Sequence, residues 1–368
     1  MGKIELDHTG SGSGVTLSSD GTDLLLDGTA IGGGGGAALE LYAENPSSPT
    51  APSATGTNAV AIGDGATSSQ TRSIAIGYNS TSSGIASTAL GPSANASGFY
   101  ATALGYNAKA VSGGFTSVLA LGNSYASGAS SFAAAIGNNT SSYGATGANS
   151  VAVGYLNKAT GTYSYAVGFT STASGYGSIA LGISPTASGH SSIALGGRGV
   201  WNAQATAQSS IAIGDGARGD IKGKMAFAGY GMGNAGSQGG WYTLYSDTTD
   251  ATAEAMTTTK STASSDNQIV LPNNSAYAFH GTIVARQQAS AGTASAAWKI
   301  EGLIRREGSA GTTVLVNSAT TVLDNTPGWG LALSADTTNG GLKIEATGAA
   351  STNIRWVSTI HTSEVTYA

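Results

Sequence analysis

The sequence predicts an all-β chain: a parallel β-solenoid shaft that lies against copies of itself, followed by a C-terminal antiparallel β-sandwich. Three observations carry this. A tile of about fourteen residues returns eleven times between residues 59 and 216. Glycine is abundant, 56 of 368 residues, while only 10% of residues are charged. Beyond residue 236 the tile is gone, and strand-like runs with ordinary charge replace it.

Segment 1–58 stands apart from the tile. "KIELDH", "GVTLSSDGTDLLLDG" and "AALELYAENP" read as short strands between Gly-rich turns. "GGGGG" at 32–36 and "PSSPTAPSATG" at 46–56 read as flexible joints. The segment is expected to be an attachment arm that orders on docking.

Segment 59–216 is the repeat. The glycine closing each Ala-aliphatic-Gly triplet falls at Gly63, Gly77, Gly91, Gly105, Gly122, Gly137, Gly154, Gly168, Gly182, Gly196 and Gly214. The residue before it is always Ile, Leu or Val, and the one before that is always Ala. Alternate strand residues face opposite ways, so aliphatics and alanines take opposite faces of a strand apolar on both. Fourteen residues hold two short strands and two tight corners, and coils of that kind stack as a solenoid. Eleven of them at a spacing of roughly 4.8 Å give a rod about 50 Å long. A helix fails because Gly, Ser, Thr and Asn fill the gaps.

So thin a coil has little interior. With the aliphatic residue before each glycine buried, at about 2 kcal/mol apiece, the gain remains small against the ordering cost. The alanine face, with its small side chains, is expected to meet partner chains about a symmetry axis. A homotrimer is the simplest form.

Segment 217–236 is a Gly-rich connector, and 237–368 is the sandwich. "AYAFHGTIVARQQ", "AAWKIEGLIRRE", "TTVLVNSATTVL", "GLALSA", "GLKIEATG" and "NIRWVSTIHT" are strand-like, with turn signals "DNTPG" and "DTTNGG" between them.

Composition removes several function classes. A net charge of −5 without a basic stripe argues against nucleic acid. The absence of cysteine removes thiolate chemistry and Cys-based zinc sites. No run of about 18 apolar residues occurs, so membrane insertion is not expected. The N-terminal "MGKIELDHTGSGSG" is not a secretory signal. His8, His190, His280 and His361 fall at no metal-ligand spacing. No metal and no cofactor is expected. Glycoside cleavage needs a pair of carboxylates. Residues 59–196 hold one acid, Asp64. Glu301, Glu307, Asp336 and Glu345 read as solvated strand residues. The chain is therefore expected not to be an enzyme. Binding is sought in C-terminal loops on a rigid scaffold. The candidates are Asn325, Trp329, Asp336 and Asn339, polar and aromatic groups suited to sugar.

"NAVAIGDGATSS", "SIAIGYNSTSSG", "SVAVGYLNKATG" and "SIALGISPTASG" resemble the head repeats of trimeric autotransporter adhesins of the YadA type. That resemblance implies a left-handed parallel β-roll with three chains side by side on an adhesive surface. No heptad stalk, membrane-anchor strand set or clear neck motif accompanies it. "WKIEGLIRREGSAGTT" and "GWGLALSADTTNGGLKIEATG" resemble terminal domains of tailed-bacteriophage fibre proteins. Together the two imply a homotrimeric tail fibre, assembled in the host cytoplasm and displayed on the virion. Its N-terminus docks on a virion protein. Its C-terminus adheres to a host-surface glycan or outer-membrane receptor. A capsid fibre with an accessory adhesion role is one alternative, and a tailspike polysaccharide depolymerase is another.

Overall fold

A computed structural model of the chain describes residues 50–112, 118–134, 137, 141–197, 201–229, 237–288 and 292–367, with five short strands before residue 50. The pentaglycine at 32–36, the stretch 46–49, Ile136 of the sixth tile and residues 230–236 of the connector lie outside the described residues. The architecture is all-β. Among the described residues the one helical element is the 3-10 turn Ala310–Thr312.

Ahead of the roll, Ile4–Leu6, Val15–Ser19, Leu24–Leu26 and Thr29–Ala30 pair in sequence as an antiparallel meander. Glu40–Leu41 then pairs parallel with Val60–Ile62 and opens the solenoid.

Each coil gives a strand of three to five residues to one parallel sheet and a two-residue strand to a second. The second sheet has 12 strands, from Ser53–Ala54 to Arg218–Gly219. Register is exact: Ala75 lies beside Ala61 and Ala89, and Ile76 beside Ile62 and Leu90. The uneven step from Gly105 to Gly122 is absorbed in corners, since Leu104 still pairs with Leu121, whereas in the sixth tile the register sets Ala133 and Ala134 in the two columns.

The faces are the reverse of the expectation. Alanines fill the coil: Ala61, Ala75, Ala89, Ala166, Ala180 and Ala212 are all 0% exposed. The aliphatic residues point outward, and Leu90, Leu104 and Leu181 are 41%, 42% and 38% exposed. The reason is width. Two sheets joined by such tight corners leave room for methyl groups and, among the described residues of the alanine cluster, for one branched chain, Val118; protein interiors are close-packed. Serines at the corners complete the filling. Ser82 Oγ bonds Ser87 Oγ at 2.6 Å, and Ser178 Oγ donates to the Gly175 carbonyl at 2.8 Å.

The corners turn through left-handed residues, and many are not glycine. Ala86, Tyr100, Tyr163 and Ser191 have φ near +55° on one corner column, as do Asn79, Ser93, Leu156 and Ser184 on the other. Glycine is obligatory where coils touch. Gly77 has φ +126°, and a Cβ there would sit 2.7 Å from the Gly91 carbonyl carbon.

The C-terminal strands are β1 (Gln238–Thr248), β2 (Ala253–Ala255), β3 (Ile269–Val270), β4 (Ser275–Gln287), β5 (Ser295–Arg306), β6 (Val314–Asp324), β7 (Gly330–Asp336), β8 (Gly341–Thr347) and β9 (Ile354–Thr366). The large sheet runs β1-β9-β4-β5-β6, antiparallel throughout. The small sheet is built on β8, with β7 on one edge and β2 and β3 along the other. One buried cluster joins them. Trp298, Trp356, Tyr242, Ile283 and Ile300 come from the large sheet, and Met256, Ile269, Leu342 and Ile344 from the small-sheet side. Trp298 stacks on Trp356 with ring centroids 5.3 Å apart. Met225–Phe227, in parallel register with the last full coil, pairs antiparallel with β1. The roll and the sandwich thus share one hydrogen-bonded sheet.

Close coil stacking makes a specific prediction. Gly161 has no positive φ, yet a Cβ would lie 2.1 Å from the Gly175 carbonyl oxygen. Gly161→Ala is expected to lower stability by about 1–3 kcal/mol, as overpacking does. Thr162→Ala beside it should be nearly silent. Thermal unfolding of the two variants checks this.

Candidate functional site

Three features of the molecule can carry function: the outward face of the roll, the junction below the sandwich, and the end of the sandwich far from the roll.

The outward face is an unbroken apolar column. It runs through Ile62, Ile76, Leu90, Leu104, Leu121, Ala134, Val153, Val167, Leu181, Leu195 and Ile213 in register. Phe227, 61% exposed, continues it past the last full coil, and Trp241, 45% exposed and opposite Met225, lies beside it on β1. Aromatic rings flank it: Tyr155 stacks on Phe169 at 5.1 Å, and Tyr176 on His190 at 4.9 Å. Patches of this kind mark interaction surfaces.

At the junction Lys224, on the last coil, is buried against Glu364 of β9. Its Nζ lies 2.9 Å from Glu364 Oε2 and 3.3 Å from Asp220 Oδ1. Glu364 also accepts bonds from Gln238 Nε2, Tyr242 Oη and Thr362 Oγ1, at 2.6, 2.9 and 2.7 Å. Burial alone would lower the Lys224 ammonium, but the charges of Asp220 and Glu364 outweigh it and raise its pKa. Burial, and then the Glu364 charge, push the Tyr242 phenol well above its usual value. The arrangement is a clasp between roll and sandwich.

The four residues expected to bind separate into two pairs. Asn325 and Trp329 form one loop after β6. Asn325 Nδ2 donates to the Trp329 carbonyl at 2.7 Å, and the Trp329 amide donates to Asn325 Oδ1 at 2.9 Å. Trp329 is only 5% exposed and packs on Trp356. Asp336 and Asn339 form the β7–β8 turn. Asp336 accepts from the Thr338 and Asn339 amides and from Asn339 Nδ2. Burial works to raise the Asp336 carboxyl, but these bonds outweigh it and hold it below its usual range. The seven residues of β7 separate the two loops by roughly 20 Å.

Sequence reasoning passed over a groove of about 670 Å³ at the far end of the large sheet. Asp247, Val284, Arg286, Gln288, Asn353 and Arg355 line it. They come from the last turns of three strands and the loops beyond them. Asp247 lies eight residues along β1 from Gly239 at the roll, about 27 Å away. Arg355 Nε donates to Asp247 Oδ1 at 2.9 Å, and Lys260 bonds Asp247 from the other side. Arg355 first, then Lys260, hold the exposed Asp247 carboxyl below its usual range against partial burial. A second groove, lined by Glu254, Glu345 and Lys343, shares Asp247 as its wall. Among the described residues no group of histidines and carboxylates is placed to hold a metal ion. Among them, too, no helix is long and apolar enough to cross a membrane.

Residues 54–80, 82–110, 145–171, 159–184, 173–198 and 201–217 match the YadA head domain repeat. No curated protein matches the chain. Two solved structures are similar. One is the tailspike protein gp49 of Acinetobacter baumannii bacteriophage Fri1, a capsular polysaccharide depolymerase. It has 12% identity and a TM-score of 0.23, over 83% of this chain and 50% of that one. The other is the Acinetobacter baumannii phage AM24 tailspike protein, with 10% identity and a TM-score of 0.19, over 84% and 65%. This chain thus spans less than two thirds of either. That one of them is a depolymerase overturns the expectation that the chain is no enzyme, and that expectation is withdrawn.

The clasp yields the second prediction. Lys224→Met strands the Glu364 charge in the interior and should cost about 3–5 kcal/mol in denaturant unfolding. Because the folded Lys224 pKa is raised, its contribution is complete below about pH 10.4 and fades as pH rises through the folded value. An alkaline melting series should show a larger loss in the native chain than in Lys224→Met, where the raised Tyr242 and Tyr277 phenols still titrate but Lys224 no longer does.

Proposed function

We propose that the chain is the subunit of a homotrimeric bacteriophage tail fibre that adheres to the host surface. Residues 1–58 dock on a virion protein, 59–216 form a stiff spacer, 217–236 join it to the sandwich, and 237–368 form the tip. The tip meets a glycan on the host. One observation carries the reading. In a single chain the outward aliphatic column stays half-buried to exposed from the first coil to Phe227, although its in-register ladder is paired along the roll. Burying such a column at about 25 cal/mol per Å² supplies the stability that an alanine-filled coil lacks. Three chains about an axis cover it without leaving an open end. The match of these coils to the YadA head domain repeat supports an adhesin-like role.

Sedimentation of the purified full chain should give three times the chain mass. Leu181→Lys, at an outward position 38% exposed in one chain, should shift it towards monomer. A folded native monomer at micromolar concentration would end the trimeric reading. Labelled trimer should bind bacterial cells or their purified polysaccharide saturably. Release of reducing ends in the same incubation would reassign the tip to a depolymerase.

A further inference from the structure

We propose that the groove at the far end of the large sheet binds the carboxylate of an acidic sugar, with Arg286 as the principal cation. This rests on the reading of the sandwich as a glycan-binding tip and names where, and to which chemical class, it binds.

The sheet register sets the charges. Across the last full row of the outer face stand Asp247, Arg355, Arg286 and Ser295, each directly opposite the next. Two arginines face one another across adjacent strands, a pairing that destabilises a sheet. The one acid of the row is already engaged, since Asp247 holds Arg355 on one side and Lys260 on the other. Among the described residues Arg286 reaches one backbone carbonyl, that of Thr293. Elsewhere on the same face cations have acidic neighbours: Lys299 lies 3.7 Å from Glu301, and Arg305 3.9 Å from Glu307. Among the described residues Arg286 has no such partner. A guanidinium exposed in a cleft, without a counter-charge and beside a second guanidinium, is an anion site.

The rest of the groove suits a sugar. Val284 and Val357 are cross-strand partners on its floor, and Val284 is 52% exposed. They offer an apolar bed for the C–H face of a pyranose. On the rim, Asn353 Nδ2 donates to Gln288 Oε1 at 2.9 Å. That bond fixes the two amides and leaves Gln288 Nε2 as donor and Asn353 Oδ1 as acceptor for hydroxyl groups. The volume lies within the range of small-ligand sites. Charge selects the anion. Arg286 and Arg355, with Lys260 behind Asp247, outweigh that single acid, so the groove favours an anion. The guanidinium fork also fits a carboxylate with two parallel bonds.

The test uses the full-length chain and calorimetric titration at low salt. Probes are oligogalacturonate, a hyaluronan tetrasaccharide and sialyllactose, with methyl-esterified oligogalacturonate and a neutral cellotetraose for comparison. At least one carboxylated probe should bind, and the ester and the neutral sugar should not. Arg286→Ala should weaken binding about tenfold or more while sedimenting as the native chain does. Arg286→Lys should recover part of the affinity. The proposal falls if no carboxylated probe binds, if the ester binds equally, or if Arg286→Ala binds unchanged. It also falls if that variant alters the oligomer, because the groove would then be a subunit contact. Cell binding separates the two readings. If native chain and Arg286→Ala adhere to bacteria equally, the groove is wrong and adhesion stands. If the native chain adheres to no cell or polysaccharide, adhesion itself fails.

Discussion

The width of one coil is the constraint on which the rest depends. Two parallel sheets joined by corners of a few residues leave an interior one methyl group deep on each side. Alanine is the largest side chain that fits at Ala61, Ala75, Ala89 and their successors, and each is fully buried. The aliphatic neighbours of these alanines are thereby forced outward, while Val118, opposite Ala101, is the one branched residue of the buried alanine cluster among the described residues. A strand reading Ile-Ala-Ile hides its small residue and displays its large ones, the reverse of an ordinary amphipathic strand. From that inversion come the half-buried to exposed column of the roll and the subunit contact proposed for it. It also accounts for the glycine columns, since the coils stack so closely that a Cβ at Gly84 would meet the Gly98 carbonyl oxygen at 1.9 Å.

Much of this was legible in the sequence, but not which way the faces point. Phase is local information. The Ala-aliphatic-Gly triplet places the strands of the other tiles, but in the sixth the register sets Ala133 and Ala134, not Ala135 and Ile136, in the two columns. Facing depends on the space between two sheets, which no single tile contains. Since both faces are apolar, alternation alone leaves the choice open, and expected burial per residue favours the larger side chain. The corners were half legible. Glycines marked them, but Ala86, Tyr163 and Leu156 also adopt left-handed φ, because stacking against identical neighbours outweighs their local preference. The far groove was not legible at all. Arg286 and Arg355 are distant in sequence, and only the pairing of β4 with β9 sets them opposite one another. Asn325 and Trp329 drew attention as loop residues, yet a buried ring and a closed pair of hydrogen bonds give both of them structural work.

A parallel solenoid must end somewhere, and its last strand presents open backbone groups. Here the end is closed by a change of direction. Met225–Phe227 is parallel to the coil before it and antiparallel to β1 after it. The hydrogen-bond ladder therefore passes from the roll into the sandwich without an exposed edge. The same place holds Lys224 and Glu364, and Ile221 from the last coil joins the sandwich core. A charged pair in that position adds little net stability, because removing both ions from water costs nearly what their attraction returns. What it does impose is geometry. Glu364 accepts bonds from Gln238, Tyr242, Thr362 and Lys224 together, and that set is satisfied in one relative placement of coil and sheet.

The same economy explains why recognition chemistry would sit on strand ends. A loop must be ordered before it can bind, at about 1–2 kcal/mol per residue. The Asp247–Arg355–Arg286 row is ordered already, held from below by Trp298 and Trp356 and from the sides by three strands of eleven to thirteen residues. The repulsion between its two arginines is then borne by the fold and relieved when an anion enters. A stiff, nearly uncharged roll suits such a tip. It carries few charges to screen or compete with the groove, and in the proposed fibre its register would hold the tip at a fixed distance from the docked end.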